Sequence, residues 1–466
     1  KECPQMSLEK CTGADSWQAW TPHPSNAECP GALATSKMAK VETKTCYHFT
    51  AYPRETHIES ITAPDRWTAI IKCLPGMTGL VYEFATQHSK MIPHEVVEKY
   101  GDLADWKNAC GTGPFMLVDY VPHSSMTFER NPNYWQKDPF FPENQLPYLD
   151  SVKYLIIPDL STRIAALRTG RIDWLGGMGA YVPWEDAENL MKTNPELKWM
   201  EYPSGSSLPA IYMRIDTKPF DDIRVRRALA MAIDNEGIKD KFYGGHAETY
   251  SWPILPIPEF RDVFIPFEQL PESVRELYGY HPERAKQLLA EAGYPDGFKT
   301  DIVCTAASVD LLSIYNAYWA KIGVDLELKV YEDAVATSIG AGKTHKQMYL
   351  GNVSPTIFYK MIWLRTGNYF NWSMIDDQRI MDTYKAVSEN YFDEPKRNQL
   401  LRDIIPYLLD QTYILPAPAQ NLFHMWWPWI KNYSGEVETG YASTYYSFPK
   451  YVFCDTDLKQ NTKAGK

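Results

Sequence analysis

No stretch of this chain reaches the roughly 18 consecutive apolar residues that a membrane-spanning helix requires. Basic residues are in the minority: 47 Lys and Arg stand against 58 Asp and Glu, for a net charge of -11. That balance argues against nucleic acid or an anionic bilayer as the main partner, because both reward clustered cations. The eight cysteines include no C-x-x-C pair, and the ten histidines include no i, i+4 pair. The commonest zinc and helical metal spacings are therefore missing, and neither a metal nor another cofactor is expected. No G-x-S-x-G elbow is present for a nucleophilic serine. There is no internal repeat and no low-complexity segment. A signal peptide is missing too: Lys1-Glu2-Cys3-Pro4 reads as the beginning of a processed or truncated chain.

What is present suits a globular protein. The 466 residues suggest two or three domains. Hydrophobic residues make up 44% and charged residues 23%, both ordinary. Aromatics reach 14%, with 15 Trp and 31 Tyr, an excess that either lines a binding surface or fills a core. Six of the eight cysteines (3, 11, 29, 46, 73, 110, 304 and 454) fall within the first 110 residues. Their even number and clustering predict disulfides in an exported protein, with reduced buried thiols as the alternative.

Periodicity supplies the elements. Residues 1 to about 60 are irregular and rich in Pro and Cys. "TAPDRWTAIIKCL" (63–74) reads as a turn entering a strand, and "PHEVVEKYG" (93–101) as a short helix stopped by Gly101. "FMLVDYV" and "SMTFER" read as two strands. "LSTRIAALRTG" (160–170) is a helix capped by Ser161 and ended by Gly170. "RIDWLGGMGAYVPW" (171–184) is a strand running into a glycine-rich loop, and "PAIYMRI" (209–215) is another strand. "DDIRVRRALAMAID" (221–234) is a helix capped by Asp222, with Val225, Ala228, Leu229 and Ala232 on one face. A second helix runs on to Gly244-Gly245. "HPERAKQLLAEAGYPDGF" (281–298) is a helix with Pro282 in its first turn and Gly293 at its end. A further helix lies near 308–321 and a last one near 394–409. "GVDLELKVYED" (323–333) alternates strictly at Val324, Leu326, Leu328 and Val330, so it is a strand with one covered face. Strands alternating with helices imply an α/β protein with mixed sheets.

The motifs bear on three chemistries. Gly111-Thr112-Gly113-Pro114 precedes a strand, whereas a phosphate cradle opens a helix, and Pro114 removes a donor. A glycosidase needs two converging carboxylates in an aromatic cleft; the aromatics exist, but Asp and Glu are scattered over helix faces. A secreted hydrolase is therefore the runner-up. The densest aromatic-polar run is "YLGNVSPTIFYKMIWLRTGNYFNWS" (349–373), whose rings offer apolar platforms and whose amides both donate and accept. The competing reading of that run is core packing with turn asparagines. "FHMWWPWIKNY" (423–433) reads as packing for the C-terminal segment.

Four stretches taken together carry a family resemblance: "GTGPFMLVDYVPHSSMTFERNPNYW", "RIAALRTGRIDW", "IRVRRALAMAIDNEGIKDKFYGGHA" and "HPERAKQLLAEAGYPDGF". In this order and spacing they resemble the large periplasmic or extracellular solute-binding proteins of ABC importers, the oligopeptide/dipeptide/nickel family (family 5). The resemblance covers about residue 60 to 455. It implies a two-lobed periplasmic-binding-protein architecture (type II, large cluster), α/β with mixed sheets and a hinged cleft. Lobe I would be residues 1–205 plus 415–466, and lobe II residues 206–414. Such proteins bind and release without catalysis, closing by a hinge motion that ligand favours.

The resemblance also implies partners and site residues. The ligand would be a small molecule or peptide, with oligopeptide first and nickel chelates or short oligosaccharides next. The other partners would be ABC importer membrane subunits, reached from the periplasm or cell surface. A role on the same fold without a transporter is a separate alternative. The only membrane connection left open is a lipid on a lost N-terminal cysteine. The expected ligand contacts are Tyr349, Asn352, Trp363, Tyr369 and Asn371, with Met178, Tyr212 and Asn421 as weaker candidates. Three departures qualify this. The family's N-terminal opening strands are not recognisable in residues 1–60. His281 stands where an Asp or Asn cap is usual. Many peptide-binding members carry an acid for the peptide's amino terminus, where this chain has Asn352 or Val353 in "YLGNVSPTIF". A buried ammonium without a partner is costly, so that departure favours a neutral or differently anchored ligand.

Overall fold

The computed structural model describes residues 58–73, 92–101, 103–176, 181–203, 208–256, 260–353, 364–366, 368–436 and 448–462. Its principal strands are β1 (Ile58–Asp65), β2 (Thr68–Cys73), β3 (Phe115–Val121), β4 (Ser125–Arg130), β5 (Ser151–Leu155), β6 (Trp174–Leu175), β7 (Lys198–Pro203), β8 (Leu208–Met213), β9 (Ala247–Glu248), β10 (Phe298–Thr305), β11 (Val324–Tyr331), β12 (Met348–Val353), β13 (Ile414–Pro416) and β14 (Ala419–Trp426). Its principal helices are α1 (His94–Tyr100), α2 (Leu160–Arg168), α3 (Trp184–Thr193), α4 (Ile223–Met231), α5 (Asn235–Phe242), α6 (Pro282–Glu291), α7 (Val309–Ala320), α8 (Gln378–Glu389) and α9 (Glu394–Gln411). The chain divides into two compact units. The first holds β1, β2, β8, α4 and the elements from α6 to β13; the second holds α1, the elements from β3 to β7, β9 and nearly all of β14.

The first unit is built on a five-stranded sheet in the order β11-β10-β12-β8-β13. β10 runs parallel to both β11 and β12, while β8 is antiparallel to β12 and β13. Parallel neighbours need a crossover, and α7 supplies the one between β10 and β11. β8 lies inside the sheet, so its sequence is a nearly continuous apolar run with Ala210, Ile211, Tyr212 and Met213 all buried. β11 is an edge strand. Val324 and Leu326 are buried as the alternation requires, but Leu328 is only half-buried and Val330 is exposed. Its covered face ends before the strand does.

Helix starts follow local chemistry. Asp222 caps α4, its carboxylate accepting from the Arg224 amide, and Val225, Ala228 and Leu229 are buried. α6 begins after His281, which makes no side-chain cap bond, and buries Ala285, Leu288 and Leu289. For α2 the structure corrects the expected cap. Asp159, not Ser161, accepts from the Thr162 amide at 2.7 Å, because the helix already begins at Leu160 and Ser161 lies inside its first turn.

The second unit centres on the sheet β6-β14-β7, with β9 also pairing β14, beside the separate sheet β3-β4-β5. The aromatic run after β14 fills its core, as the sequence suggests. The Trp427 and Trp429 rings stack at 4.7 Å, with Trp427 Nε1 donating to the Leu167 carbonyl and Trp429 Nε1 to Asp173. The loop before β3 is tied by Asn131, whose amide donates to the Gly113 carbonyl at 2.9 Å. The disulfide expectation is corrected for the described cysteines: Cys73, Cys110, Cys304 and Cys454 are free. Cys304 sits buried in β10, where its thiol behaves as a small apolar group and burial pushes its pKa up.

Candidate functional site

In the first unit, β12 and the segment 368–373 bring several of the expected residues together. Tyr349 is buried on β12, its ring 4.9 Å from Trp372 and 5.6 Å from His345. Tyr212, opposite it on β8, stands edge-on to Trp372 at 4.9 Å. Tyr369 is half-buried, with ring contacts to Phe370 at 5.0 Å and Trp372 at 6.4 Å. Asn352 is exposed on β12, and its backbone carbonyl accepts from the Tyr212 hydroxyl at 3.0 Å. Burial raises the phenol pKa of both Tyr212 and Tyr349, so these rings stay neutral.

Asn371 has a different task. Its amide nitrogen donates to the carbonyls of Arg365 and Ile375, and its oxygen accepts from the Ile375 amide at 2.8 Å. Both polar atoms of this buried side chain are engaged in folding its own loop. Trp372, part of the aromatic-polar run but not among the expected contacts, is the centre of this cluster. Its Nε1 is buried and donates to no described group, while its carbonyl accepts from His345 Nε2 at 2.9 Å. The spacing of rings could not reveal this, because the contact depends on Gly351. A Cβ at that position would collide with the Trp372 ring. Gly351→Ala is therefore expected to cost about 1–3 kcal/mol by overpacking, read as a lower Tm with altered tryptophan fluorescence.

Asn421 lies in the second unit, on β14 opposite Pro203. Its amide donates to Glu201 Oε1 at 2.8 Å, and Glu201 also pairs with His246 Nδ1 at 2.8 Å. Glu201 and His246 were not singled out in the sequence, since positions 201, 246 and 421 share no local spacing. Trp363 and Met178 lie outside the described residues. Among the described residues no group of His, Cys, Asp and Glu is arranged to hold a metal, and no helix is long and apolar enough to cross a membrane.

The fold is shared with solved periplasmic binding proteins. The ABC transporter-associated periplasmic binding protein DppA from Helicobacter pylori, in complex with the peptide STSA, superposes with a TM-score of 0.66 at 22% identity, covering 86% of this chain and 75% of that one. Residues 15–369 match the bacterial extracellular solute-binding proteins, family 5, in the family's middle region, and the chain belongs to that family. Heme-binding protein A of Haemophilus influenzae is 33% identical over 232 residues, 48% of this chain and 38% of that protein's length. Glutathione-binding protein GsiB of Salmonella paratyphi A is 26% identical over 392 residues, 80% of this chain and 71% of its own length.

Proposed function

We propose that this protein is an extracytoplasmic receptor that captures a peptide-sized solute and delivers it, chemically unchanged, to an ABC importer. The observation that carries this reading is the family match over residues 15–369. Glutathione is itself a small peptide, and the structure in complex with STSA holds another, so the names of these relatives support peptide ahead of other solutes. The proposed lobes are residues 206–414 and residues 1–205 with 415–466. The proposed contacts are Tyr212, Tyr349, Asn352, Tyr369 and Asn421, with Asn371 tying the loop that carries Trp372. Trp363 and Met178 stay in the set on sequence grounds alone. The half-buried ring of Tyr369 and the exposed amide of Asn352 suit a ligand held by its backbone polar groups and by stacking.

The test is a thermal melt against a peptide library, with each hit followed by mass spectrometry of the recovered ligand. A bound peptide at 100 times its Kd stabilises the folded state by about 2.7 kcal/mol, a rise of several degrees in Tm. A peptide recovered in cleaved form, or a library without a single stabilising member, would remove the proposal.

A further inference from the structure

The first unit contains a cavity of about 50 Å³ whose lining includes none of Tyr212, Tyr349, Asn352 and Tyr369. It forms where two chain reversals meet. α4 ends at Met231 and α5 starts at Asn235, and Ala230, Ile233 and Asn235 from that junction make one wall. α9 ends at Gln411, and the chain turns into β13 through Thr412, which takes a left-handed φ of +50°. That conformation is unfavourable for a β-branched residue. The Thr412 hydroxyl offsets it by donating to the carbonyls of Leu409 and Asp410, which the helix end leaves open. Leu408 and Ile414, on either side of this turn, make a second wall.

Trp252 and Tyr278 also line the space, and each brings a polar group without a partner. Trp252 is only 3% exposed, and no described group accepts from its Nε1. The Tyr278 ring is held edge-on by Tyr250 and Phe267, each at 5.6 Å, and its hydroxyl bonds to no described group. Burial pushes the Tyr278 pKa up, so this group is a neutral O–H that both donates and accepts. Among the described residues no Asp, Glu, Lys, Arg or His lines the cavity, so a charged occupant would lose its hydration without gaining a counter-ion. An indole N–H is costly to bury unpaired, so an occupant with an acceptor oxygen is favoured over a purely apolar one. The volume lies between the roughly 10–15 Å³ that one water needs and the roughly 150 Å³ that takes benzene, which sets the occupant at about two to four heavy atoms.

We propose that this cavity is a second binding site, which takes one small uncharged molecule with a short apolar body and a hydroxyl or carbonyl oxygen. The oxygen accepts from the Trp252 indole N–H, the Tyr278 hydroxyl completes its hydrogen bonds, and the carbons rest on Leu408 and Ile414. With so few atoms the affinity is weak, on the order of millimolar. Asn235, Trp252 and Pro416 of the lining stand close in sequence to Ile238, Thr249 and Ala419, where the chain leaves or re-enters the first unit. The occupant therefore packs on the chain beside those passages. This site and the peptide reading are independent, and neither needs the other.

The full chain is labelled with nitrogen-15 at tryptophan, and its indole N–H resonances are followed by NMR during titration with ethanol and, separately, with ethylammonium chloride. The Trp252 resonance is the one that Trp252→Phe removes. Ethanol is expected to shift it along a saturating curve with a Kd on the order of millimolar, and ethylammonium at equal concentrations is expected to leave it in place. Ala230→Leu, which fills the cavity, is expected to abolish the saturating shift. If either variant fails to fold, wild-type crystals soaked in ethanol carry the test: density for ethanol between Trp252 and Tyr278 supports the site, and density for water alone overturns it. In solution, a Trp252 resonance that does not move, a shift that grows without saturating, a shift retained in Ala230→Leu, or an equal response to ethylammonium overturns it. Each of these outcomes leaves the peptide receptor standing.

Discussion

Arg226→Ala should lower the unfolding free energy by about 3–5 kcal/mol, from stranded buried carbonyls and a cavity, seen as a drop in the urea midpoint at constant slope. Arg226 projects from α4 into the first unit and is only 4% exposed. It forms no carboxylate salt bridge among the described residues; its partners are main-chain oxygens. Nε and Nη2 donate to the Gln411 carbonyl at 3.1 and 3.0 Å, and Nη1 donates to the carbonyls of Phe220 and Asp221. The guanidinium also lies over the Tyr413 ring at 5.4 Å. One side chain thus satisfies the end of α9 and the segment before α4 together. Alanine strands those carbonyls and opens a cavity, whereas lysine keeps the charge but cannot reach both groups. Arg226→Lys should therefore recover part of the loss. A loss under about 1 kcal/mol for alanine would mean that water replaces the guanidinium, and the argument would fail.

Acid should unfold the protein earlier than its carboxylates alone would dictate. Burial pushes the imidazole pKa of both His345 and His424 down to about 4. His345 donates through Nε2 to the Trp372 carbonyl, and His424 pairs with the Tyr202 hydroxyl at 2.8 Å. In the unfolded chain both would titrate near their ordinary value of about 6.5. The stability they contribute as neutral groups is complete above that pH and is lost as pH falls toward 4, because the unfolded state then binds more protons. Each accounts for on the order of 3 kcal/mol across that window. Asp216 and Asp222, held low by hydrogen bonds from Arg214 and Arg224, act only below it. Urea midpoints taken between pH 7 and pH 4.5 should fall steeply, and His345→Gln should flatten the slope by about half. A midpoint that stays level across that range would show that neither imidazole is desolvated as the structure requires.

Most of the helices were legible because each depends on neighbours in sequence. The stripe at Val225, Ala228 and Leu229, the Asp222 cap, and the stop after α6 follow from a period of 3.6 and from side chains three residues apart. The departures arose where the outcome depended on something remote. Val330 breaks the alternation of β11 because cover on a strand comes from whatever packs on it. The α2 cap moved from Ser161 to Asp159 because two capping residues competed and the carboxylate set the start. The candidate site divides the same way. The run 349–373 was visible as a density of rings and amides, but not which of them would be occupied with its own loop, as Asn371 is.

By itself the sequence determined the α/β class, most of the helices, several strands and the family, because these are written in local periodicity and in ordered motifs. Only the tertiary structure decided that Trp372 gathers Tyr212 and Tyr349, and that Glu201, His246 and Asn421 meet. Those groups lie tens to hundreds of positions apart. Strand pairing brings them within hydrogen-bond reach, and no periodicity along the chain encodes that distance.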